Sequence, residues 1–491
     1  MDFIILKTVG DEMIAKYISR CSCVVIYGFS AIFAVLAIVS LFYFPHLKGN
    51  WLGYIPPALG LLILFINGLL SRKCPVVGKV VRDILMSRWF IPALLVAATF
   101  VQLTFLLLIR PIPISDGLVC YNETVAFLQG HGLPWKRYYP PFQLYWSSLF
   151  LRCFGSSYFV YQVSNIPFYI GTVFIVRKIV RVFTAEELSR IAMAVVAFYP
   201  SFMIYLAVSP YYYYPYTFFI TCTVLFIVRG FECTDRSRSW VIWFAVAGGT
   251  AAMGALAKPV FLIAPVYMGA LVIIAISKRR IFVRLAIGSL VFLFTFAIFI
   301  LPWMLSLHDH FGHVVPVCTS GGFVLYSANN AESNGLFSDV PDRIKHINKT
   351  DYFESSKECS KKAVEWIVNN PWTFGRLAMN KFIYTWGNET TDIELINVRG
   401  ENVQLLDDVL SLVVQIAWSV LLIYWAYVCV LFCRNSGAEI QVLHLIICML
   451  ILSNALVYLV YEGSCHHHLP FIPLMVVDIC FFKNEMLKRA Q

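Results

Sequence analysis

Asp116 is the residue best placed to do chemistry. It falls in Arg110-Pro-Ile-Pro-Ile-Ser-Asp-Gly117, just after an apolar run that ends near Ile109. A carboxylate at a bilayer surface is costly and is usually kept for a task. Beside an acceptor hydroxyl it could serve as a general base. Cations follow it, Lys136 and Arg137, and then Tyr138-Tyr139-Pro140-Pro141. Lys258 stands at the end of another apolar run, next to Pro259. Cations of this kind could hold a leaving phosphate. Each residue has a plainer alternative. Asp116-Gly117 precedes a run of helical apolar spacing, as an N-cap does. Lys136 and Arg137 could bind lipid headgroups, and Lys258 could reach them by snorkelling.

A second group lies near the C-terminal end: Glu462, then His466, His467 and His468. His308, His310 and His313 form another set. Such residues could hold a divalent metal. No spacing fixes a tetrahedral set across the two stretches, so interfacial histidine is the simpler reading and no metal ligand is assigned. Tyr211 to Tyr214 read as an aromatic belt at the membrane interface. The 14 cysteines are scattered without metal spacing and read as buried thiols.

The elements that carry these residues are membrane spans. The chain has 491 residues, is 59% hydrophobic and only 13% charged, with a mean hydropathy of +0.73. A soluble domain would be nearer a quarter charged. Twelve apolar runs can be read as spans: 22–44, 51–70, 89–109, 158–180, 190–206, 211–228, 240–256, 259–276, 285–305, 408–432, 439–461 and 468–482. The stretch 240–276 is too long for one span and divides near Lys258-Pro259. With the N-terminus inside, 23 of the 38 Lys and Arg residues fall on inner segments. Both termini are then cytoplasmic. The net charge of +10 reflects this bias and does not argue for nucleic acid. The first apolar run begins near Cys21 and reads as an anchor, not a cleaved leader.

Four regions follow. Residues 1–88 hold a tail, a peripheral hairpin and a basic linker. Residues 89–305 form a core with an outer loop at 110–157. Residues 306–407 form an outer cap, and 408–491 the last spans. In the outer loop Leu118, Tyr121, Val125 and Leu128 recur at helical spacing before Gly130-His131-Gly132, which predicts a surface helix. Phe142–Phe154 is too short to span and predicts a second surface or re-entrant helix. Asn-x-Ser/Thr triplets at Asn122, Asn348 and Asn388 all fall outside, where glycosylation is allowed. A disulfide among Cys120, Cys318, Cys359 and Cys465 is open in the same topology.

Four stretches, in order on this topology, resemble the glycosyltransferase-C superfamily. The likeness is to bacterial and archaeal relatives of the dolichyl-phosphate-mannose protein mannosyltransferases and to the lipid A aminoarabinose transferases. The first stretch is Asp116 after an outward span, with Tyr139-Pro140-Pro141. The second is Pro302-Trp303, Val315 to Gly322 and Asn329-Asn330. The third is Trp366 to Pro371, on to Lys381 and Trp386. The fourth is Glu462 to Pro473. Relatives place Arg-Tyr before the last prolines, where this chain has the His triplet. The aminoarabinose transferases have a charged pair directly before Pro-Pro, where this chain has Tyr138-Tyr139.

The resemblance implies an all-α polytopic membrane protein of about 12 transmembrane helices, with outer-face surface helices and a mixed extracytoplasmic loop. It implies an inverting transferase that moves a sugar from a polyprenyl-phosphate donor to an acceptor hydroxyl. Asp116 would be the base. Lys136, Arg137, Lys258, His467 and His468 would meet the donor phosphate, and Tyr139, Glu462 and Asn329 the substrates. The sugar would be a hexose or a related monosaccharide. The acceptor would be a glycan, a lipid or a protein, and membrane lipids would surround the site. A divalent metal is an open addition. The resemblance favours the plasma membrane of a prokaryote over the endoplasmic reticulum, with the site on the extracytoplasmic side. The rival readings are a transporter or flippase for lipid-linked sugars and a polymerase of lipid-linked glycans. A transporter would need charges inside spans and usually two related halves.

Overall fold

The computed structural model describes residues 2–49, 51–70, 75–134, 136–208, 212–233, 239–275, 279–337, 352–390, 393, 395–435 and 442–490. Among the described residues the regular elements are helices, and the β structure is an isolated bridge between Val398 and Glu401. Nine helices among them are long and apolar enough to cross a membrane: Arg20–Pro45, Phe90–Ile109, Glu186–Ala207, Tyr213–Glu232, Ser239–Ala257, Phe282–Phe311, Gln404–Arg434, Val442–Val460 and Cys465–Lys483. The chain is an all-α, multi-pass membrane protein.

The other three expected spans take different forms. Leu52–Ile66 and Pro259–Ile274 are shorter apolar helices. The 158–180 run breaks at Ser164-Asn165 into Tyr158–Val163 and Ile166–Phe183, the second with Arg177, Lys178 and Arg181 in its last turns. The division at Lys258 is a physical break. The helix Ser239–Ala257 ends there, and a short 3-10 turn, Pro259–Ile263, begins the next helix. Pro259 has no N–H to continue a helical ladder.

The cap differs from expectation at its start. The helix Arg279–Phe311 runs through Pro302, and Gly312 (φ 70°) ends it. Residues 306–311 therefore extend a span. Beyond lie Gly321–Ser327, Tyr352–Asn369 and Pro371–Trp386. The helices in the described part of this mixed loop are joined by turns and irregular segments, with the Val398–Glu401 bridge among them.

The first hairpin is not peripheral. Ala34 and Ala37 are fully buried, and Phe33 packs edge-on against Phe382 and Trp386. Tyr27 packs against Phe432 and His444. Small residues let helix backbones approach closely. Gly387 shows how closely, since a Cβ there would collide with the Ser40 carbonyl and with its own helix at Ile383.

The two ends of the bundle differ in charge. At one end Arg177, Arg181 and Arg190 converge on Glu186, and Arg190 also donates to the carbonyls of Leu85 and Ser87. Arg284 at that end donates to the carbonyls of Gly230 and Cys233. The opposite end carries Asp116 and the other residues singled out above.

Candidate active site

The Asp116 loop is held by backbone geometry before any side chain matters. The helix Phe90–Ile109 closes at Arg110, whose left-handed φ of 49° turns the chain. Two prolines then keep Ile112 extended. The side-chain amide of Asn397 clamps Ile112 from both sides, accepting from its N–H at 2.8 Å and donating to its carbonyl at 2.9 Å. Helix Ser115–Leu128 starts from that anchor.

Asp116 is in the first turn of this helix, with Ile114 at the N-cap position and no side-chain cap. The cap reading is therefore corrected. A carboxylate in the first turn still gains from the helix dipole. Tyr139 Oη donates to Asp116 Oδ1 at 2.7 Å. Burial, followed by the adjacent Asp116 charge, pushes the Tyr139 phenol well above its ordinary range, so it stays a donor. The deeply packed face of the helix is Gly117, Cys120 and Thr124. The predicted stripe, Leu118 to Leu128, lies beside it and is only partly covered.

A cavity opens next to Tyr139, lined by Glu123, Arg137, Tyr138, Tyr139, Gln143 and Trp303. Arg137 donates from Nη1 to the carbonyl of Pro134 at 2.8 Å and lies 5.9 Å over the Trp303 ring. Its Nε is buried without a partner among the described residues. Glu123 was missed in the sequence, although its i+7 spacing puts it on the face of Asp116. Burial raises its carboxyl to about 7, against the pull of Lys136 and Arg137. Burial lowers Arg137. Lys136 lies 4.9 Å over the Tyr352 ring. Pro141 opens the helix Pro141–Phe154, whose 14 residues are too few to span.

The second stretch of the resemblance meets the first here. Thr319 donates from N to the Arg137 carbonyl at 3.0 Å and from Oγ1 to the Lys136 carbonyl at 2.8 Å. Trp303 Nε1 donates to the Val317 carbonyl at 2.7 Å.

The last turn carries a second group of the candidate residues. Lys258 is buried, not snorkelling. Its Nζ is 3.2 Å from Tyr212 Oη and 3.3 Å from His467 Nδ1. An ammonium only donates, so Nδ1 accepts and the His467 proton is assigned to Nε2. That nitrogen lies 3.4 Å from Glu462 Oε1. The His467 ring stacks on Tyr458 at 3.4 Å. Both Asp116 and Glu462 act on the Tyr138 phenol, which burial first pushes above its ordinary range. Tyr138 thus lies within electrostatic reach of both Asp116 and the last turn. Ligand atoms of Glu462, His466 and His467 lie within 4.8 Å of one another and could hold a divalent cation. His308 and His310 do not join them among the described residues. His313 instead lies 3.6 Å from Glu354.

Two of the residues expected at the site support it from behind. His468 is fully buried, stacked on Trp418, with Nε2 on Glu389 and Nδ1 on the Thr385 carbonyl. Neither ring nitrogen remains for a phosphate. The Asn329 amide donates to the carbonyls of Leu325 and Val460 and accepts from Lys381 Nζ at 2.7 Å. Lys381, fully buried, also donates to the Val460 carbonyl at 3.0 Å. Burial pushes its amine down to about 7, opposed by Glu462.

Several secondary expectations also change. Tyr213 and Tyr214 are buried in the core, so they form no belt, and Tyr211 lies outside the described residues. Asn388 is fully buried and binds Thr390, which leaves no acceptor for a glycan there. Asn348 lies outside the described residues. Cys120, Cys318, Cys359 and Cys465 are all free thiols.

No protein-family model matches this chain. No curated protein matches it either. Several solved structures are similar to it. One is the Archaeoglobus fulgidus oligosaccharyltransferase in complex with zinc and sulfate (TM-score 0.48, 12% identity, 81% of this chain, 49% of that one). Another is AglB, an oligosaccharyltransferase of the same organism, with an inhibitory peptide and a dolichol-phosphate (0.48, 13%, 82% and 52%). A third is ArnT from Cupriavidus metallidurans bound to undecaprenyl phosphate (0.39, 14%, 82% and 79%). These are glycosyltransferases of the C superfamily. The chain spans about half the length of the oligosaccharyltransferases. At such identities and scores the likeness assigns no residue a role.

Proposed function

We propose that this protein is an integral membrane glycosyltransferase that moves a sugar from a polyprenyl-phosphate carrier to an acceptor hydroxyl, with inversion. The observation that carries the reading is the Asp116–Tyr139 pair at the edge of a cavity whose wall holds Arg137. Asp116 takes the acceptor proton as the hydroxyl oxygen attacks the anomeric carbon. The bond from that carbon to the phosphate oxygen breaks, and the phosphate leaves with the electron pair. A monophosphate diester becomes a monoester, so its charge grows by about one as it departs. Cations fixed in place favour that change and require no reorganisation. Arg137 fills this role at the cavity, with Lys136 next to it in the chain, and Lys258, held by the neutral His467, offers a further cation. Tyr139 holds the carboxylate in place. Asn329 and His468 act as supports and not as contacts.

The site would open on the extracytoplasmic side. The arginines gathered at the opposite end support that orientation. The donor would enter sideways from the outer leaflet. A prokaryotic plasma membrane remains the favoured setting, and the acceptor is a glycan, a lipid or a protein hydroxyl.

The test is transfer by the purified protein in detergent, with a polyprenyl-phosphate-linked hexose as donor and membranes supplying the acceptor. Product should form without sealed compartments, and Asp116→Asn should lower the rate by about 10²–10⁴ while the protein stays folded. Full activity of Asp116→Asn would remove the base. Movement of lipid-linked sugar across sealed vesicles with no product would favour a transporter.

A further inference from the structure

A second cluster lies toward the arginine-rich end, inside the bundle, and the transfer reaction does not use it. It joins three membrane helices. Trp425 and Cys429 share a face of Gln404–Asn435, four residues apart. His444 and Cys448 share a face of Val442–Val460 at the same spacing. Asp478 comes from Ile472–Ala490. All five are fully buried. Asp478 accepts from Trp425 Nε1 at 2.9 Å and from His444 Nδ1 at 2.8 Å. That bond fixes the imidazole tautomer and leaves Nε2 as the electron-pair donor. His444 Nε2 is 3.4 Å from Cys448 Sγ. The sulfurs of Cys429 and Cys448 and the His444 nitrogen all lie within 4.8 Å of one another.

We propose that Cys429, His444 and Cys448 form a zinc-class metal site inside the membrane domain, with Asp478 orienting the imidazole. Zinc binds sulfur at about 2.3 Å and imidazole nitrogen at about 2.0 Å, so ligands of one tetrahedral ion stand about 3.3–3.8 Å apart. The Cys448–His444 separation already fits, and the full set needs only a small closure. Binding displaces a proton from each thiol and none from Nε2. Two thiolates then neutralise the dication, which a low-dielectric interior requires. A carboxylate on the outer nitrogen of a ligating histidine is the usual second partner in zinc sites. The alternative, a His–Asp pair beside two thiols acting as small hydrophobes, explains the burial. It leaves aside that the Cys448 sulfur already stands 3.4 Å from the nitrogen left unprotonated, with the Cys429 sulfur inside the same cluster. The ion would clamp the last three helices. Two of them, Val442–Val460 and Ile472–Ala490, flank the turn with Glu462 and His467.

The full chain, purified in detergent without a histidine tag, stripped by chelator and then given Co²⁺, tests this. One cobalt per chain is expected, with a thiolate-to-cobalt band in the near ultraviolet that Zn²⁺ displaces. Cys429→Ser and Cys448→Ser should each lose the band. Asp478→Asn should bind about 10–100-fold more weakly. If the serine variants do not fold, the band of the native protein and its displacement by Zn²⁺ decide the matter. Cobalt bound without a thiolate band would place the ion on Glu462, His466 and His467 instead and overturn the proposal. So would a Cys429–Cys448 disulfide in the purified protein, or no bound cobalt.

Discussion

Lys381 makes the geometry of the last turn measurable. Its amine would be expected near 10.5 in an unfolded chain and lies at about 7 in the folded one. Between those values the unfolded chain holds a proton that the folded chain lacks, so stability rises with pH across that window. The gap is worth about 5 kcal/mol when fully realised. The neutral amine has two N–H groups, which match its two acceptors, Asn329 Oδ1 and the Val460 carbonyl. Lys381→Met keeps the bulk and removes the titration. It also leaves Asn329 Oδ1 short of a donor, at about 1–3 kcal/mol, while the Val460 carbonyl keeps its bond from the Asn329 amide. The native protein should therefore gain apparent melting temperature from pH 7 to pH 10, on the order of 5 °C for a chain of this size. The variant should show no such gain and should fall furthest below the native protein at pH 10. Thermal unfolding in detergent across that range, followed by tryptophan fluorescence, reads both slopes. A Lys381→Met protein with the native slope would refute the assignment.

Tyr139→Phe deletes the hydrogen bond to Asp116, a charged acceptor, and should cost transfer about 10–100-fold through about 1.5–3 kcal/mol. Assay of the purified variant at saturating donor checks this, and an unchanged rate would count against the pair. Glu123 is charged above pH 7 and neutral below it, so it competes with the donor phosphate for Arg137 as pH rises. KM for the donor should climb between pH 6 and 8 in the native enzyme and stay flat in Glu123→Gln. Gly463→Ala should abolish stable folding, because the new Cβ would lie 2.6 Å from Lys381 Cα and 2.8 Å from its carbonyl oxygen. Size-exclusion chromatography of the solubilised variant would show it as aggregate.

Much of the site was legible because its signals are local. Asp116 after an apolar run, the Pro140-Pro141 start of a short helix and the break at Lys258-Pro259 each rest on a few neighbouring residues. Glu123 was readable too, by counting seven residues from Asp116. Other parts depend on contacts that no local pattern encodes. Asn397 clamps Ile112 across 285 positions. Lys381 sits in an amphipathic run that reads as surface, yet it is fully buried, with Gly463 close against its backbone. The His triplet read as one interfacial group, yet its short 3-10 turn points His468 into the core against Trp418 and keeps His467 by Lys258. The hairpin read as peripheral because many apolar residues of one span look alike. Only Ala34, Ala37 and Ser40 on a single face mark where another helix fits.

That face has a bearing on how the protein is built. Phe33 and Tyr27 find their partners in residues 382–444, so the first membrane segment spends most of synthesis without them. At translation rates of about 5–20 residues per second, about 350 residues mean a delay on the order of 20–70 s. Throughout it the alanine face must rest against lipid or an insertion factor. This segment thus completes its docking late, and mutations at Ala34 or Ala37 should reveal themselves as defects of biogenesis before any defect of turnover.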